Sequence, residues 1–243
     1  MARRRWPASS RPKGNRSSRT GPIVQVGCTL WGMDLTKHTH ATVVLTDGDR
    51  TLVIDPGAYT PNAAELIAGT TAVLVTHDHP DHVDPAVLGS ALDAQPDLRV
   101  WAPAAVTAEL GDHDGRVATV SPGDVFEAAG FRVETVGGDH AAVHPDVPPM
   151  SNVGFVVDGD VYHPGDAYFV PSTPVRTLLV PTSGPWAKLG DFVDFVRAVH
   201  PERAVQIHDL MLSDAGKQSF ARFHEQLTGT ELVTLPDGGT ITL

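Results

Sequence analysis

The stretch "THDHPDHVD", from Thr76 to Asp84, contains three histidines and three aspartates within nine residues. It follows the apolar run "TAVLV" at residues 71–75, whose unbroken apolar character predicts a strand covered on both faces. Imidazole and carboxylate groups are costly to remove from water and pack poorly, so such crowding beside a buried strand needs a compensating partner. A metal ion is the partner that both kinds of group bind.

The spacing of these groups, H-x-H-x-D-H, accommodates two metal ions. If the turn after the strand is tight, His77 and His79 face one ion, while Asp81 and His82 face a second. Neutral imidazole and carboxylate are the ligands that zinc, iron and manganese accept from a protein that offers no thiolate. Four donors on one loop leave both ions short of ligands, so the remaining ligands must come from distant parts of the chain.

Candidates for these remaining ligands follow three other predicted strands. They occur in the motifs "GGDH", "YHPGDA" and "QIHD", each of which comes after a short apolar run. A sheet scaffold assembles a rigid site by carrying one ligand at the end of each of several strands. The candidates are His140, Asp166 and His208, after the predicted strands at 131–136, 160–163 and 203–207.

The rest of the chain alternates short strands, tight turns and helices. The segments "ATVVLT" and "TLVID" flank the turn "DGDR", which predicts a hairpin at 41–55. The segment at 188–200 places Leu, Phe and Val at helical spacing and ends before a proline. Strands flanked by helices toward both ends predict two sheets packed together with helices outside, in one domain over 33–243. Further helices are predicted at 61–68, 84–92, 103–110 and 213–227, with a closing hairpin at 231–243.

Charge is distributed unevenly along the chain. The 243 residues carry a net charge of −11, yet residues 1–32 hold seven basic residues and no acidic one, so the remainder carries −18. Residues 1–32 are rich in Arg, Ser, Pro and Gly without apolar periodicity, so we predict a disordered basic segment. This segment lies upstream of the natural start if translation begins at Met33.

The cysteine content and the length of the apolar runs indicate the cellular compartment in which the protein is expected. The single cysteine, Cys28, allows no internal disulfide and suits a reducing compartment, so we expect a cytoplasmic protein. The longest apolar runs are far shorter than a membrane span requires. We therefore expect no membrane association, and the sequence leaves the oligomeric state open.

Five motifs in order, "LVIDPG", "THDHPDH", "GGDH", "HPGDA" and "QIHD", make residues 33–243 resemble the metallo-β-lactamase superfamily. The resemblance is to its compact hydrolases, the type that includes L-ascorbate-6-phosphate lactonase. It implies an α/β (α+β) fold, a four-layer αββα sandwich, with a dinuclear metal site at one edge. Asp55 is then expected to lie behind the ligands and to orient a ligand imidazole. The implied ligands are His77, His79 and His140 for the first ion and Asp81, His82 and His208 for the second, with Asp166 bridging.

The resemblance and the metal chemistry together imply a hydrolase. Two divalent ions, zinc or alternatively manganese, lower the pKa of a shared water toward about 7, so that a metal-bridged hydroxide is available at neutral pH. We expect it to cleave an ester, lactone or phosphodiester bond in a small molecule, with Asp81 or Asp166 carrying a proton to the leaving group. No serine or cysteine nucleophile is needed, and the chain has no G-x-S-x-G motif.

Other functions within the superfamily remain as alternatives. A nuclease or phosphodiesterase that acts on nucleic acid is disfavoured by the charge of −18 over 33–243, which repels a polyanion. A di-iron oxidoreductase of this superfamily usually has glutamate where this chain has His79. A non-catalytic binding module would be expected to have lost ligands, and a secreted β-lactamase would need an export signal, which we do not find.

Two proline-rich stretches, "VHPDVPPMSN" at 143–152 and "PTSGPW" at 181–186, follow ligand-bearing strands and predict stiff loops around a substrate pocket. In these loops His144 is a candidate catalytic residue, a hydrogen-bond donor to the developing anion. Trp186 is a candidate apolar wall of the pocket. His40, near the start of the folded part, is a further candidate pocket residue.

A chain that begins at Met33 should fold and hydrolyse its substrates as the full chain does, because residues 1–32 offer no apolar residues at core periodicity. Thermal unfolding of the two chains measures the difference. A melting temperature lower by more than about 5 °C in the shorter chain would make the segment part of the fold.

Overall fold

The computed structural model describes residues 32–243. The predicted basic segment, apart from Gly32, and Cys28 lie outside the described residues. The strands are β1 (Asp34–Lys37), β2 (Val43–Asp47), β3 (Arg50–Ile54), β4 (Ala72–Leu74), β5 (Arg99–Ala102), β6 (Val117–Thr119), β7 (Val125–Ala128), β8 (Phe131–Asp139), β9 (Ser151–Val157), β10 (Val161–His163), β11 (Thr177–Pro181), β12 (Arg203–Ile207), β13 (Glu231–Val233) and β14 (Gly239–Thr242). The helices are α1 (Ala63–Ala68), α2 (Pro85–Ala94), α3 (Ala104–Leu110), α4 (Leu189–Val199) and α5 (Asp214–Thr228).

The strands form two seven-stranded sheets with mixed strand directions. The first has the order β14-β1-β2-β3-β4-β5-β6, and the second has the order β13-β12-β11-β10-β9-β8-β7. The predicted hairpin is confirmed, since β2 and β3 pair antiparallel around a turn in which Gly48 has a φ of 58°. Of the strands that precede candidate ligands, β4 and β12 run parallel to both neighbours. Strand β10 runs parallel to β11 but antiparallel to β9, and β8 runs antiparallel to both neighbours.

Three apolar clusters show how the layers pack. One lies between the sheets and includes Leu52 and Ile54 from the first sheet and Phe155 from the second. A second joins the outer face of the first sheet to α1, α2 and α3, and a third joins the outer face of the second sheet to α4 and α5. Val53 belongs to the second cluster although its neighbours belong to the first, as the alternation of side chains along a strand requires. The fold is therefore the predicted αββα sandwich.

Local sequence signals determine where helix α2 begins and where helix α4 ends. The side chain of Asp84 accepts hydrogen bonds from the backbone N–H groups of Ala86 and Val87, and Pro85 fills the first helical position, so α2 begins there. Helix α4 ends at His200, which adopts the left-handed conformation with a φ of 54°. The apolar face predicted for this helix is buried in the third cluster.

The predicted closing hairpin at 231–243 is wrong, because β13 and β14 belong to different sheets. Strand β13 pairs parallel with β12, and β14 pairs antiparallel with β1. The sequence pattern had not indicated β1, whose residues "DLTK" are mostly polar, and so the partner of β14 was missed. Strand β8 also runs three residues beyond its predicted end, since Gly137 and Gly138 pair with β9 despite their positive φ angles.

The strand ends bring the candidate ligands to one edge. The loop that begins with His77 follows β4, His140 follows β8 directly, Asp166 lies just after β10, and His208 follows β12 directly. The backbone of this edge is strained, since His40, Asp55 and His208 have φ angles of 64°, 53° and 50°. Within residues 32–243, no helix has the length and apolarity that crossing a membrane would take.

Gly57, in the "LVIDPG" motif, should tolerate no side chain. A Cβ atom there would lie 2.1 Å from the backbone oxygen of Asp81 and 2.6 Å from the backbone nitrogen of His82. Gly57→Ala should therefore displace the ligand loop and lower the stability by more than about 2 kcal/mol, which corresponds to a melting temperature lower by roughly 4–8 °C.

The matched control is Gly89→Ala in α2, where a Cβ atom meets nothing within 4 Å. Alanine is favoured over glycine in a helix, so this variant should be as stable as the natural protein or more stable by about 0.5–1 kcal/mol. Equal melting temperatures for the two variants would show that the backbone contact at Gly57 does not constrain the loop.

Candidate metal centre

The seven predicted ligands, together with His40, lie in two adjoining groups. Within each group, one nitrogen or carboxylate oxygen from every residue lies within 4.8 Å of those from the others. In each group three residues are buried and one, His79 or Asp81, is half-buried, so the centre is reached from solvent on the side of these two residues. The groups are His77, His79, His140 and Asp166, and His40, Asp81, His82 and His208.

The carboxylate of Asp166 faces both groups. Its Oδ2 atom lies 3.4 Å from Nε2 of His140 and 4.0 Å from Nε2 of His77. Its Oδ1 atom lies 3.1 Å from Nε2 of His82 and 3.1 Å from Nε2 of His208. This is the placement expected of a carboxylate that bridges two ions.

Several buried atoms of the centre have no hydrogen-bond partner among residues 32–243. Nδ1 of His208 is one of them, and the other four, which face one another, are Nε2 of His82, His140 and His208 and Oδ1 of Asp166. They approach one another closely but not in hydrogen-bonding geometry, which is how ligand atoms around a common ion are arranged. A buried polar atom without a partner costs about 1–3 kcal/mol, so four at one place need a bound group to offset them. Divalent ions that accept nitrogen and oxygen ligands fit this donor set.

Asp55 fixes the orientation of His82, one of the predicted ligands. Its Oδ2 atom lies 2.6 Å from Nδ1 of His82 and also accepts a hydrogen bond of 2.7 Å from Oγ1 of Thr76. Its Oδ1 atom accepts a 2.8 Å hydrogen bond from the backbone N–H of Thr76. The Nδ1 atom of His82 therefore carries the hydrogen, and Nε2 is turned toward Asp166. A carboxylate behind a histidine plays this part in many metal sites.

Burial and neighbouring charges shift the pKa values of several residues at the centre. Against the lowering effect of burial, Asp166 and Asp55 raise the pKa of His82, and Asp166 and Asp81 raise that of His208. Burial, followed by the neighbouring His82, holds the pKa of His77 well below its usual value, so this imidazole is neutral. Burial alone would raise the pKa of Asp166, but His82 and the contacts with His140 and His208 outweigh it and hold the pKa well below its usual range. The same competition lowers the pKa of Asp81, through His208 and His40. Both carboxylates are ionised at neutral pH.

Trp186 lies against the centre rather than on an open wall. It is only 6% exposed, and its Nε1–H donates a 3.1 Å hydrogen bond to Oδ2 of Asp166. The indole also packs against Tyr168, at 5.2 Å between ring centroids. Gly184 makes room for it, since a Cβ atom there would lie 2.8 Å from Nε1 of the indole. The sequence indicated that Trp186 was near the site but not that it donates to a ligand.

The structure brings His40, but not His144, into contact with the ligands. The His144 side chain is 62% exposed, and its Nδ1 atom accepts a 3.2 Å hydrogen bond from the backbone of Asp146. With His140 it borders a cavity of about 220 Å³, so its role as a pocket residue stays a prediction. His40 was expected only in the pocket, yet its Nε2 atom lies 3.0 Å from Oδ2 of Asp81. No local pattern in "KHTHAT" indicated this contact.

Comparison with known proteins assigns the chain to a family. Residues 34–208 match the family model described as the β-lactamase superfamily domain. The chain is 35% identical over 216 residues to Protein Rv0786c of Mycobacterium tuberculosis, which covers 86% of this chain and all of that protein. It is 29% identical over 150 residues to a UPF0173 metal-dependent hydrolase of Xanthobacter autotrophicus, over 55% of this chain and 62% of that protein.

The fold has solved counterparts. A metallo hydrolase from the archaeon Ignicoccus hospitalis superposes with a TM-score of 0.67 and 18% identity, over 87% of this chain and 98% of that one. The fold and the site thus define the class, which is that of the metal-dependent hydrolases with the metallo-β-lactamase fold. The chain belongs to the β-lactamase superfamily.

Replacing Trp186 with phenylalanine should weaken metal binding while preserving the fold. The variant keeps an aromatic ring against Tyr168 but loses the N–H that holds Asp166. Loss of such an outer hydrogen bond typically lowers metal affinity by about 10–100-fold. Competition with a chromophoric chelator measures the affinity. Trp101→Phe is the matched control, since Trp101 stacks on Phe126 and belongs to neither group. Equal affinities for both variants would contradict the assigned contact.

Proposed function

We propose that this protein is a dinuclear metal-dependent hydrolase that cleaves an ester, lactone or phosphodiester bond in a small molecule. The observation that carries the proposal is the pair of four-residue groups that meet at Asp166, with buried ligand atoms that lack hydrogen-bond partners within residues 32–243. His77, His79 and His140 would hold one ion, and Asp81, His82 and His208 the other, with Asp166 between them. Zinc suits the many imidazole ligands, and manganese is the alternative.

Bound divalent ions would supply Lewis acidity and lower the pKa of a water molecule to about 7, so that the chain needs no nucleophile of its own. The residues around them would hold the reacting groups in place and move a proton. A proton carrier must reach the substrate, so exposure distinguishes the two carboxylates. The side chain of Asp81 is 15% exposed, whereas that of Asp166 is 3% exposed and bonded to Trp186. Asp81 is therefore the proposed carrier of the proton to the leaving group.

Charge supports a small molecule as the substrate. The part of the chain from residue 33 onward carries −18, which disfavours a long polyanion such as nucleic acid. Two lysines beside the second group do not change this balance. Lys37 and Lys217 lie 3.0 and 2.7 Å from the carboxylate oxygens of Asp209, which offsets one of their two positive charges, and both lysines are already counted in the −18. A cytoplasmic location, based on the single cysteine, is part of the same proposal.

Freshly purified protein that has never met a chelator should contain about two divalent ions per chain, and their removal should abolish hydrolysis. Elemental analysis gives the metal content, and p-nitrophenyl esters, lactones and bis-p-nitrophenyl phosphate test the reaction. His208→Ala should lose about one ion, because it removes a ligand of the second group only. His113→Ala is the control, since His113 belongs to neither group. The proposal would be wrong if the wild-type protein held no stoichiometric transition metal and took up none when the metal was supplied.

A further inference from the structure

His40 belongs to the second group by distance, but distance does not decide what it does there. Its Nε2 atom lies 3.0 Å from Oδ2 of Asp81. Two ligands of one ion can be this far apart, and so can the donor and acceptor of a hydrogen bond. The two roles require different forms of the ring, because a metal ligand offers a lone pair at Nε2, whereas a donor carries a hydrogen there.

The backbone around His40 favours the donor form, in which Nε2 carries the hydrogen. The backbone N–H of Leu210 points at Nδ1 of His40 across 3.4 Å. A backbone N–H can only donate, so Nδ1 is the acceptor, and the hydrogen of a neutral ring is then on Nε2. The Nε2–H group then faces Oδ2 of Asp81, and that oxygen accepts its hydrogen bond. A ring in this tautomer cannot bind an ion through Nε2.

The packing of the histidine rings independently supports a His40 ring that binds no ion. Imidazoles that bind one ion spread apart around it. The three histidine pairs of the first group have centroids 4.7, 5.2 and 5.0 Å apart, and His82 and His208 in the second group are 5.2 Å apart. His40 and His208 are only 3.7 Å apart. His40 therefore packs closely against the ring of His208, at an interplanar angle of 45°, closer than the pairs that would share an ion.

The second ion has enough ligands without His40. Asp81, His82 and His208 supply three, and Oδ1 of Asp166 lies 3.1 Å from the Nε2 atoms of both histidines. These four donors complete the tetrahedral set that zinc prefers. The fold holds His40 in place by a separate contact, since its carbonyl accepts a 2.8 Å hydrogen bond from the backbone N–H of His208.

From the hydrogen bond, the ring packing and the complete ligand set, we infer that His40 is a positioning residue that donates to Asp81 and binds no metal. It occupies one lone pair of Oδ2 and leaves the other for the ion of the second group, so the carboxylate cannot rotate away. This role rests on the proposed function, because it presupposes an ion beside Asp81.

Two substitutions separate a donor from a ligand. In His40→Gln the amide nitrogen reaches as far as Nε2 does and still donates to Asp81, yet an amide is a far poorer ligand than imidazole. In His40→Asn the shorter amide no longer reaches Asp81. Asparagine also tolerates the left-handed backbone at residue 40, so a loss in this variant would not come from backbone strain.

The measurement is the affinity for the second ion, by chelator competition, with the visible spectrum of the cobalt-loaded protein as a report on coordination. We expect His40→Gln to stay within about 3-fold of the natural affinity with an unchanged spectrum, and His40→Asn to lose about 10–100-fold. His208→Ala provides the reference for a lost ligand.

The outcomes are distinct. If His40→Gln loses the second ion as fully as His208→Ala does, His40 is a ligand and the inference is wrong. If His40→Asn also keeps the natural affinity, the hydrogen bond does not position Asp81, and the inference is wrong for that reason. If the natural protein itself binds no ion, the proposed function fails, whatever the variants do.

Discussion

The carboxylate of Asp166 lies where the two histidine groups meet, and the rest of the centre is arranged around it. Its oxygens face different groups, at 3.4 Å from His140 and at 3.1 Å from His82 and His208. A buried ionised carboxylate is strongly unfavourable unless positive charge lies close by. The two divalent ions of the proposed function would provide that charge. The electrostatics of one buried side chain would therefore account for the convergence of the predicted ligands from four separate strands.

Bringing these side chains to one edge of the sheets strains the backbone, and contacts of the surrounding fold offset that strain. Left-handed φ angles at His40, Asp55 and His208 cost of the order of 1–3 kcal/mol each in residues other than glycine. Hydrogen bonds hold Asp55 from both oxygens, and His40 and His208 bond to each other through the backbone. Next to His208, the buried ion pair of Lys37 and Asp209 ties strand β1 to the loop after β12. The strain thus lies where the most contacts oppose relaxation.

The sequence predicts those parts of the fold and the centre that local signals determine. The crowding of histidine and aspartate at 77–82 indicates a metal site. His140, Asp166 and His208 follow segments with strand-like sequence, and the structure brings all seven predicted ligands together. Strand β1 was missed because it is short and polar, and β14 was then paired wrongly. The contacts of His40 and Trp186 join residues 41 and 20 positions apart, and they depend on ring orientation. Local patterns contain no information about such contacts.

The hydrogen bonds behind the ligands distinguish the two carboxylates from each other. Trp186 donates to Asp166 through an indole N–H, which does not ionise at neutral pH, in a place that solvent barely reaches. This hydrogen bond helps to hold the Asp166 carboxylate where it faces both groups. Asp81 also accepts a hydrogen bond from His40, but its side chain remains partly exposed to solvent. In the proposed reaction only Asp81 can exchange a proton with a leaving group, so the two aspartates share a residue type but have different roles.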